Sequence, residues 1–278
     1  MKWGIIPAAG AGTRIQPLAF SKELLPVGGR IDGQVARPRA VSEYLVERMI
    51  SAGAENICFV ISPGKSDILE YYGGAVGETA ITYTVQPQPE GLCDAIFRAV
   101  ALVRPEDHVM IGLPDTIWFP VNGLALLPED KLSFLLFPVE HPEFFDAVLT
   151  EPDGRVKQII VKQDDPGTKW VWGCFSMPGH VLHSLHDLWL EREKQDQYMG
   201  TLVNEWISRG HEASAVPAGE RYVDVGTLNG YHSAMNLLTP LASDGIATPD
   251  GDDSTSGANV PANPGGRRQT TAATSALL

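Results

Sequence analysis

The sequence contains few cysteines. Cys58, Cys93 and Cys174 are the three present in 278 residues, and each lies in an apolar stretch. An odd number of widely spaced cysteines does not suit a disulfide framework, and a chain of this length can bury a core without cross-links. We therefore expect reduced, buried thiols, as in cytosolic proteins.

Positive charge is also scarce. The chain has 21 Lys and Arg residues against 34 Asp and Glu residues, a formal net charge of −13. Non-specific binding to nucleic acid needs a basic surface, so no nucleic-acid partner is expected. An anionic ligand would have to be held by a few cations concentrated at one site.

Long apolar runs are missing as well. No stretch approaches the roughly 20 apolar residues of a membrane-spanning helix, so no membrane association is expected. The first residues include Gly4 and Gly10 and show neither the apolar core nor the cleavage site of a signal peptide. These absences predict a cytoplasmic protein.

Short apolar runs alternate with amphipathic stretches in the first half of the chain. Runs at residues 3–8, 57–61, 81–85 and 108–112 predict buried strands, and apolar residues recur at helical spacing between them. Such alternation favours parallel strands with right-handed crossovers, and hence an α/β fold. The pattern over residues 92–103 predicts one continuous helix.

The second half is less regular. Residues 147–150 and 156–161 flank a turn at Asp153-Gly154 and predict a hairpin. After Pro240 the chain is rich in Ser, Thr, Gly, Pro, Ala and Asp and has no aromatic residue. A segment of that composition cannot bury enough surface to offset its ordering entropy, so residues 241–278 are predicted to be a disordered tail.

A glycine-rich segment follows the first predicted strand and reads Ala8-Ala9-Gly10-Ala11-Gly12-Thr13-Arg14. Glycines let the backbone approach a ligand and point its N–H groups at phosphate oxygens. A dinucleotide-binding loop would have a third glycine where Ile15 stands, and a Walker loop would contain Gly-Lys-Ser/Thr. Arg14 and Lys22 instead suit a triphosphate, although an ordinary tight turn with two surface cations stays open.

Several motifs resemble those of one enzyme family. In chain order they are GAGTRIQPL at 10–18, SKELLPV at 21–27, VQPQPEGL at 85–92, GLPD at 112–115 and YVDVGT at 222–227. Together they resemble the signature of the sugar-1-phosphate nucleotidylyltransferases, especially the glucose-1-phosphate thymidylyltransferases and UTP–glucose-1-phosphate uridylyltransferases. The resemblance implies a three-layer α/β fold with a Rossmann-like mixed central sheet of the nucleotide-diphospho-sugar transferase type. It covers residues 1–240, with nucleotide binding in the first half and sugar binding in the second.

The resemblance implies a role for each matching residue on the nucleotide side. The loop backbone would cradle the triphosphate through Ala9, Gly10, Ala11, Gly12 and Thr13. Arg14 would neutralise the departing pyrophosphate, and Lys22 would bind phosphate near the reacting centre. Gln86 would hydrogen-bond the edge of a pyrimidine base, and Gly91 would leave room for the base or ribose.

The resemblance also implies a metal site and a sugar site. Asp115 and Asp224 would hold Mg²⁺, Lys162 would grip the phosphate of the sugar phosphate, and Gly173 would lie against the sugar. Without the resemblance, Asp115 would be read as a turn or helix cap and Asp224 as a capping residue. The implied partners are dTTP or UTP and a hexose 1-phosphate, and a homo-oligomer is possible.

Two departures from the family pattern fall on the sugar side. Val161 takes a sugar-binding position at which the family usually has a glutamate that contacts hydroxyls, and Asp146 stands where the family tends to have a glycine. A site that loses a hydrogen-bond acceptor loses discrimination. Two alternatives therefore stay open: a nucleotide-binding regulator without turnover, and a cytidylyltransferase for a non-sugar phosphate.

Overall fold

Strands separated by helices build the first half of the fold. The computed structural model describes residues 1–242, with side chains to residue 238. The strands of the first half are β1 (Lys2–Pro7), β2 (Pro26–Asp32), β3 (Val35–Ala40), β4 (Asn56–Ile61), β5 (Ala75–Val76), β6 (Thr79–Val85), β7 (His108–Gly112) and β8 (Thr116–Phe119). The helices of this half are α1 (Val41–Ser51), α2 (Ser66–Tyr72) and α3 (Leu92–Phe97).

The second half adds antiparallel strands and longer helices. Its strands are β9 (Leu132–Pro138), β10 (Asp146–Thr150), β11 (Val156–Val161), β12 (Trp170–Pro178), β13 (Ala213–Val216) and β14 (Arg221–Asp224). Its helices are α4 (Gly179–Glu191), α5 (Met199–Ser208) and α6 (Leu228–Ala242). None of the helices in residues 1–242 combines the length and apolar character needed to cross a bilayer. Helix α6 ends at Ala242 and therefore includes the first two residues of the predicted tail. The rest of the predicted tail, residues 243–278, lies outside the described residues.

The central sheet is mixed. The parallel strands β7, β1, β4 and β6 are neighbours in that order, which confirms the pairing expected from alternation. Strand β12 then adds antiparallel to β7, and β9 and β10 pair antiparallel to β12. The chain leaves β1 toward β4 on one side and returns to β7 on the other. Ligands of open α/β sheets bind beyond the carboxyl ends of strands at such a reversal, here those of β1 and β7.

Alternating side chains of β1 divide the core between two helical layers. Ile5 belongs to the apolar cluster that contains Ile96 of α3 and Leu182 of α4, whereas Ile6 belongs to the cluster that contains Leu45 of α1 and Ile68 of α2. Successive residues of a strand point to opposite faces, so helices cover both faces of the sheet. The predicted three-layer α/β fold is confirmed.

Several features differ from the sequence-based prediction. Helix α3 ends at Phe97 and a separate 3-10 turn covers Val100–Leu102, so the single helix over residues 92–103 is wrong. There the backbone tightens, with the Leu102 amide donating to the Ala99 carbonyl three residues back. Strands β2, β3, β5, β8 and β13 were not predicted, and β8 matters most for the site. It pairs antiparallel with β14, and that small sheet carries part of the candidate site.

Candidate functional site

The loop that leaves β1 offers unpaired amide groups. The Ala8 amide still donates to the Val60 carbonyl at 2.8 Å, but no amide of residues 9–14 donates to an acceptor within the described residues. Gly12 adopts φ = 65°, and its carbonyl accepts from the Ile15 amide at 3.1 Å. Unpaired N–H groups that follow a strand end form a concavity suited to an anion.

Lys22 lies across this loop and binds Asp115. Its Nζ is 2.5 Å from Asp115 Oδ2, and the two side chains are 13% and 12% exposed. A Cβ on Gly12 would stand 2.7 Å from Lys22 Cδ, so the glycine makes room for the lysine. Burial alone would lower the pKa of Lys22, but the charges of Asp115, Glu23 and Asp224 raise it overall. The lysine is therefore held as an ammonium ion at the carboxyl end of β7.

Asp224 lies beside Asp115 because β8 and β14 are paired. In that register Asp224 faces Thr116, the residue that follows Asp115. Asp224 Oδ2 accepts from Arg14 Nη1 at 3.0 Å, and its Oδ1 accepts from the Gly226 amide at 2.8 Å. The second contact is the capping role considered from sequence, but it uses one carboxylate oxygen and leaves the other facing the loop.

The point beside Gly226 shows how closely these groups converge. A Cβ there would lie 2.8 Å from Asp224 Oδ1 and 3.1 Å from both Asp115 Oδ2 and Arg14 Nη2. The described residues contain no group of three or more His, Cys, Asp or Glu side chains arranged to hold a metal. Two convergent carboxylates still fit Mg²⁺, which takes one or two carboxylates and completes its shell with water and substrate phosphate.

A buried ion pair fixes the backbone around Lys22. Lys65 Nζ donates to both carboxylate oxygens of Glu23, at 2.7 and 2.8 Å, and to the Ala8 carbonyl at 2.7 Å. The Ser21 hydroxyl and amide both donate to Asp67 at 2.6 Å. The turn that presents Lys22 is thus tied to the end of β1 and to the start of α2.

Gln86 is buried beyond the end of β6 in a fixed orientation. Its Nε2 donates to Asp94 Oδ2 at 2.8 Å and to the Gly91 carbonyl at 3.0 Å. Both neighbours are acceptors, so the amide nitrogen must face them. Its Oε1 has no hydrogen bond to the described part of the chain. Gly91 has φ = 96°, and a Cβ there would lie 2.8 Å from Gln197 Cα, so protein packing already requires this glycine.

Of the residues predicted for the sugar, Val161 and Lys162 lie at the end of β11, whereas Gly173 lies within β12. Lys162 has φ = 45°, and its Nζ stands 4.7 Å from the centre of the Tyr198 ring. Val161 packs against Gly200 of α5. A Cβ on Gly173 would lie 2.6 Å from the rings of both Phe137 and Tyr222, so its contact with sugar stays a prediction.

A cluster of aromatic rings lies between the residues predicted for the sugar and the two candidate aspartates. Tyr222 shares a face of β14 with Asp224, and its ring centre is 5.6 Å from that of Phe145 and 5.3 Å from that of Phe137. Sequence reasoning gave no role to Gly226 beyond its place in the YVDVGT motif, and it missed the Glu23–Lys65 pair. Glu23 could have been noticed because it follows Lys22 directly, but nothing in the nearby sequence marks Lys65 as its partner.

Comparisons with known proteins identify the family of this chain. The nucleotidyl transferase family matches residues 3–240. A glucose-1-phosphate thymidylyltransferase of Mycolicibacterium smegmatis is 26% identical over 249 residues, covering 86% of this chain and 82% of that protein. The UTP–glucose-1-phosphate uridylyltransferase AglF of Haloferax volcanii is 26% identical over 233 residues, covering 80% of this chain and 90% of that protein.

A solved structure shares the fold. The UTP-bound UGPase from Acinetobacter baumannii matches with a TM-score of 0.67 at 19% identity, covering 85% of this chain and 93% of that one. The family match spans most of the chain and includes both candidate aspartates. The chain therefore belongs to the nucleotidyl transferase family, and within it to the sugar-1-phosphate nucleotidylyltransferases.

Proposed function

We propose that this enzyme transfers a nucleotidyl group from dTTP or UTP to a hexose 1-phosphate, with Mg²⁺, and releases pyrophosphate. One observation carries the proposal. Arg14, Lys22, Asp115 and Asp224 come together beside the unpaired amides of residues 9–14. That arrangement provides donors and cations for a triphosphate and carboxylates for a divalent metal.

The reaction needs charge neutralisation more than proton transfer. A phosphate oxygen of the sugar phosphate attacks the α-phosphorus of the triphosphate, a new P–O bond forms, and the bond to pyrophosphate breaks. The attacking oxygen is already ionised near neutral pH, so no general base is required. Because both reactants are anions, catalysis rests on holding them in line and neutralising their charge.

Arg14 and Lys22 need a metal ion beside them to neutralise the charge of the two reactants. Lys22 and Arg14 are already paired with Asp115 and Asp224, so a triphosphate would meet little net positive charge at the loop. Mg²⁺ on the two carboxylates would offset their charge and polarise phosphate oxygens. We infer that Lys22 then contacts phosphate near the reacting centre and that Arg14 contacts the leaving pyrophosphate.

Gly226→Ala tests the space between these groups. Gly226 lies outside the left-handed region of the backbone, so an alanine there meets the site rather than a strained conformation. Displacing Asp224, Asp115 and Arg14 by a fraction of an ångström should lower kcat by about 10- to 100-fold. Steady-state pyrophosphate release measures the effect, with Gly74→Ala as the control because no atom lies within 4 Å of its Cβ position. Unchanged kcat in Gly226→Ala would show that this point is not part of the site.

We further propose that Gln86 reads the base. Its free Oε1 can accept a hydrogen bond from the N3–H of thymine or uracil, whereas N3 of cytosine is itself an acceptor. Asp94 and the Gly91 carbonyl hold the amide in this orientation, and Asp94 is held in turn by Arg98 at 2.8 Å. The geometry thus favours a pyrimidine triphosphate that carries a donor at N3.

Gln86→Leu is expected to raise KM for dTTP and UTP by about 10- to 100-fold, because the base loses its buried hydrogen bond. Preference over CTP should fall at the same time. The assay compares the four triphosphates with one sugar phosphate, and the exposed Gln88→Ala serves as the control. If Gln86→Leu keeps the parent's preference among triphosphates, Gln86 does not read the base.

A substrate matrix tests the proposed function as a whole. Four triphosphates are combined with a panel of sugar 1-phosphates and non-sugar phosphates, with and without Mg²⁺, and pyrophosphate release is recorded. We expect release with dTTP or UTP, a hexose 1-phosphate and Mg²⁺ together. Triphosphate binding without release on any acceptor would identify a regulator. Release confined to CTP and a non-sugar phosphate would identify a cytidylyltransferase.

A further inference from the structure

Asp146 occupies a position that connects both sides of the site. It is the first residue of β10 and faces Val161, the last residue of β11. It follows Phe145, whose ring packs on Tyr222. The residue is 8% exposed, so a carboxyl group lies nearly buried next to Lys162.

The carboxyl group of Asp146 has few protein partners. Within residues 1–238 it forms no ion pair, and the donor near it is the indole N–H of Trp172, which makes no other hydrogen bond. Burial raises the pKa of Asp146 to about 6, although the charge of Lys162 and the nearby indole act in the opposite direction. A nearly buried carboxyl group without an ion pair costs free energy, so its presence points to a ligand that supplies a further donor.

The strand register places Asp146 where another carboxylate is missing. Directly opposed residues of antiparallel strands have Cβ atoms about 4.5–5.5 Å apart and point to the same face. Asp146 therefore faces the same way as Val161, which stands where the family resemblance led us to expect a glutamate. This face of the sheet therefore still carries a carboxyl acceptor, on β10 instead of β11, and Lys162 still follows β11 directly.

We propose that Asp146 accepts a hydrogen bond from a ring hydroxyl of the sugar 1-phosphate and so determines which sugar is used. This inference rests on the proposed function, because Lys162 would hold the phosphate of the same molecule. The sugar would lie between the exposed Lys162 ammonium group, next to the Tyr198 ring, and the nearly buried Asp146 carboxyl group.

The test compares three variants with the parent enzyme. Asp146→Asn keeps the shape and removes the charge, Asp146→Gly removes the side chain, and Asp146→Gly with Val161→Glu returns a carboxyl group to β11. The matched control is Asp153→Asn, on the exposed turn between the same two strands. KM is measured separately for the sugar 1-phosphate and for the triphosphate, with deoxy sugar phosphates included.

We expect each single substitution at Asp146 to raise KM for the sugar 1-phosphate by about 10- to 100-fold, because a hydrogen bond to a charged group is lost. KM for the triphosphate should not change, and the double variant should regain most of the loss. Parent and Asp146→Asn should become alike for the deoxy sugar phosphate that lacks the contacted hydroxyl.

Each other outcome is decisive. An unchanged KM for the sugar, an equal rise in KM for the triphosphate, or the same loss in Asp153→Asn would overturn the role of Asp146. Turnover by the parent with unaltered variants removes this inference and leaves the proposed function standing. Absence of turnover by the parent on every substrate pair removes the proposed function, and this inference with it.

Misfolding is separated from these effects by a stability measurement. The titratable groups that interact electrostatically with Asp146 are the Lys162 ammonium and the Cys93 thiol of α3. Because folding raises the pKa of Asp146, its contribution to stability is complete below its ordinary pKa of 3.8 and is lost as the pH rises through about 6. Asp146→Asn should thus resist urea at least as well as the parent at pH 8, and this advantage should vanish toward pH 4.

Discussion

Asp115→Asn is expected to lower kcat for pyrophosphate release by about 1,000-fold, which corresponds to roughly 4 kcal/mol of transition-state stabilisation. Asp115 binds Lys22 and, in the proposed function, shares Mg²⁺ with Asp224. Asparagine keeps an oxygen that can accept from Lys22 but removes the negative charge that a divalent ion needs. Asp224→Asn should have an effect of the same order, because Asp224 binds Arg14 and adjoins the same point.

The measurement is the initial rate of pyrophosphate release over a range of Mg²⁺ concentrations, accompanied by Tm. The control is Asp130→Asn, because the side chain of Asp130 is 76% exposed. The folded structure should persist in both aspartate variants, because the strand pairing between β8 and β14 uses backbone groups. A variant that keeps within about fivefold of the parental kcat would take its aspartate out of the catalytic site.

Lys65→Met is expected to destabilise the protein by about 3–5 kcal/mol, because it leaves the Glu23 carboxylate buried without its cation. The side chain of Glu23 is 1% exposed and that of Lys65 is 10% exposed. Burial raises the pKa of Glu23 and lowers that of Lys65, and in each case the partner's charge opposes the shift. Removing one partner should therefore lower the free energy of unfolding strongly, whereas the intact pair adds little net stability.

Urea unfolding tests this prediction with two comparisons. The double variant Glu23→Leu with Lys65→Met should recover most of the loss, since no unpaired charge stays buried. Lys2→Met breaks the ion pair between Lys2 and Glu129, whose side chains are 34% and 64% exposed, and should cost at most about 1 kcal/mol. If Lys65→Met costs no more than Lys2→Met, the Glu23–Lys65 pair does not fix the turn at Lys22.

The Glu23–Lys65 pair also bears on function through position alone. Lys65 joins the Ala8 carbonyl, at the base of the glycine-rich loop, to the residue that follows Lys22. Loop amides and the Lys22 ammonium would have to reach the same triphosphate, so their relative placement matters. We place Glu23 and Lys65 among the positioning residues, whereas Lys22 belongs to the group that would contact phosphate.

Local patterns determined much of the α/β architecture in advance. Short apolar runs separated by helical spacing predicted the parallel strands β1, β4, β6 and β7, because buried parallel strands read as continuous apolar runs. The glycines at residues 10 and 12 and the cation at Arg14 marked the loop after β1, since loop chemistry depends on neighbouring residues. These inferences succeeded because each depends on contacts close in sequence.

What no local pattern could decide is which distant residues meet. Arg14 binds Asp224 across 210 positions and Lys22 binds Asp115 across 93, and both contacts depend on the register of β8 with β14 and on the sheet order. The opposition of Asp146 and Val161 likewise follows from strand register. Sequence alone set the central parallel strands, the loop and the chemical types of the site residues, whereas only tertiary pairing brought the carboxylates and cations together. Their interaction falls steeply with distance and burial, so chemical type without placement says little about what they do.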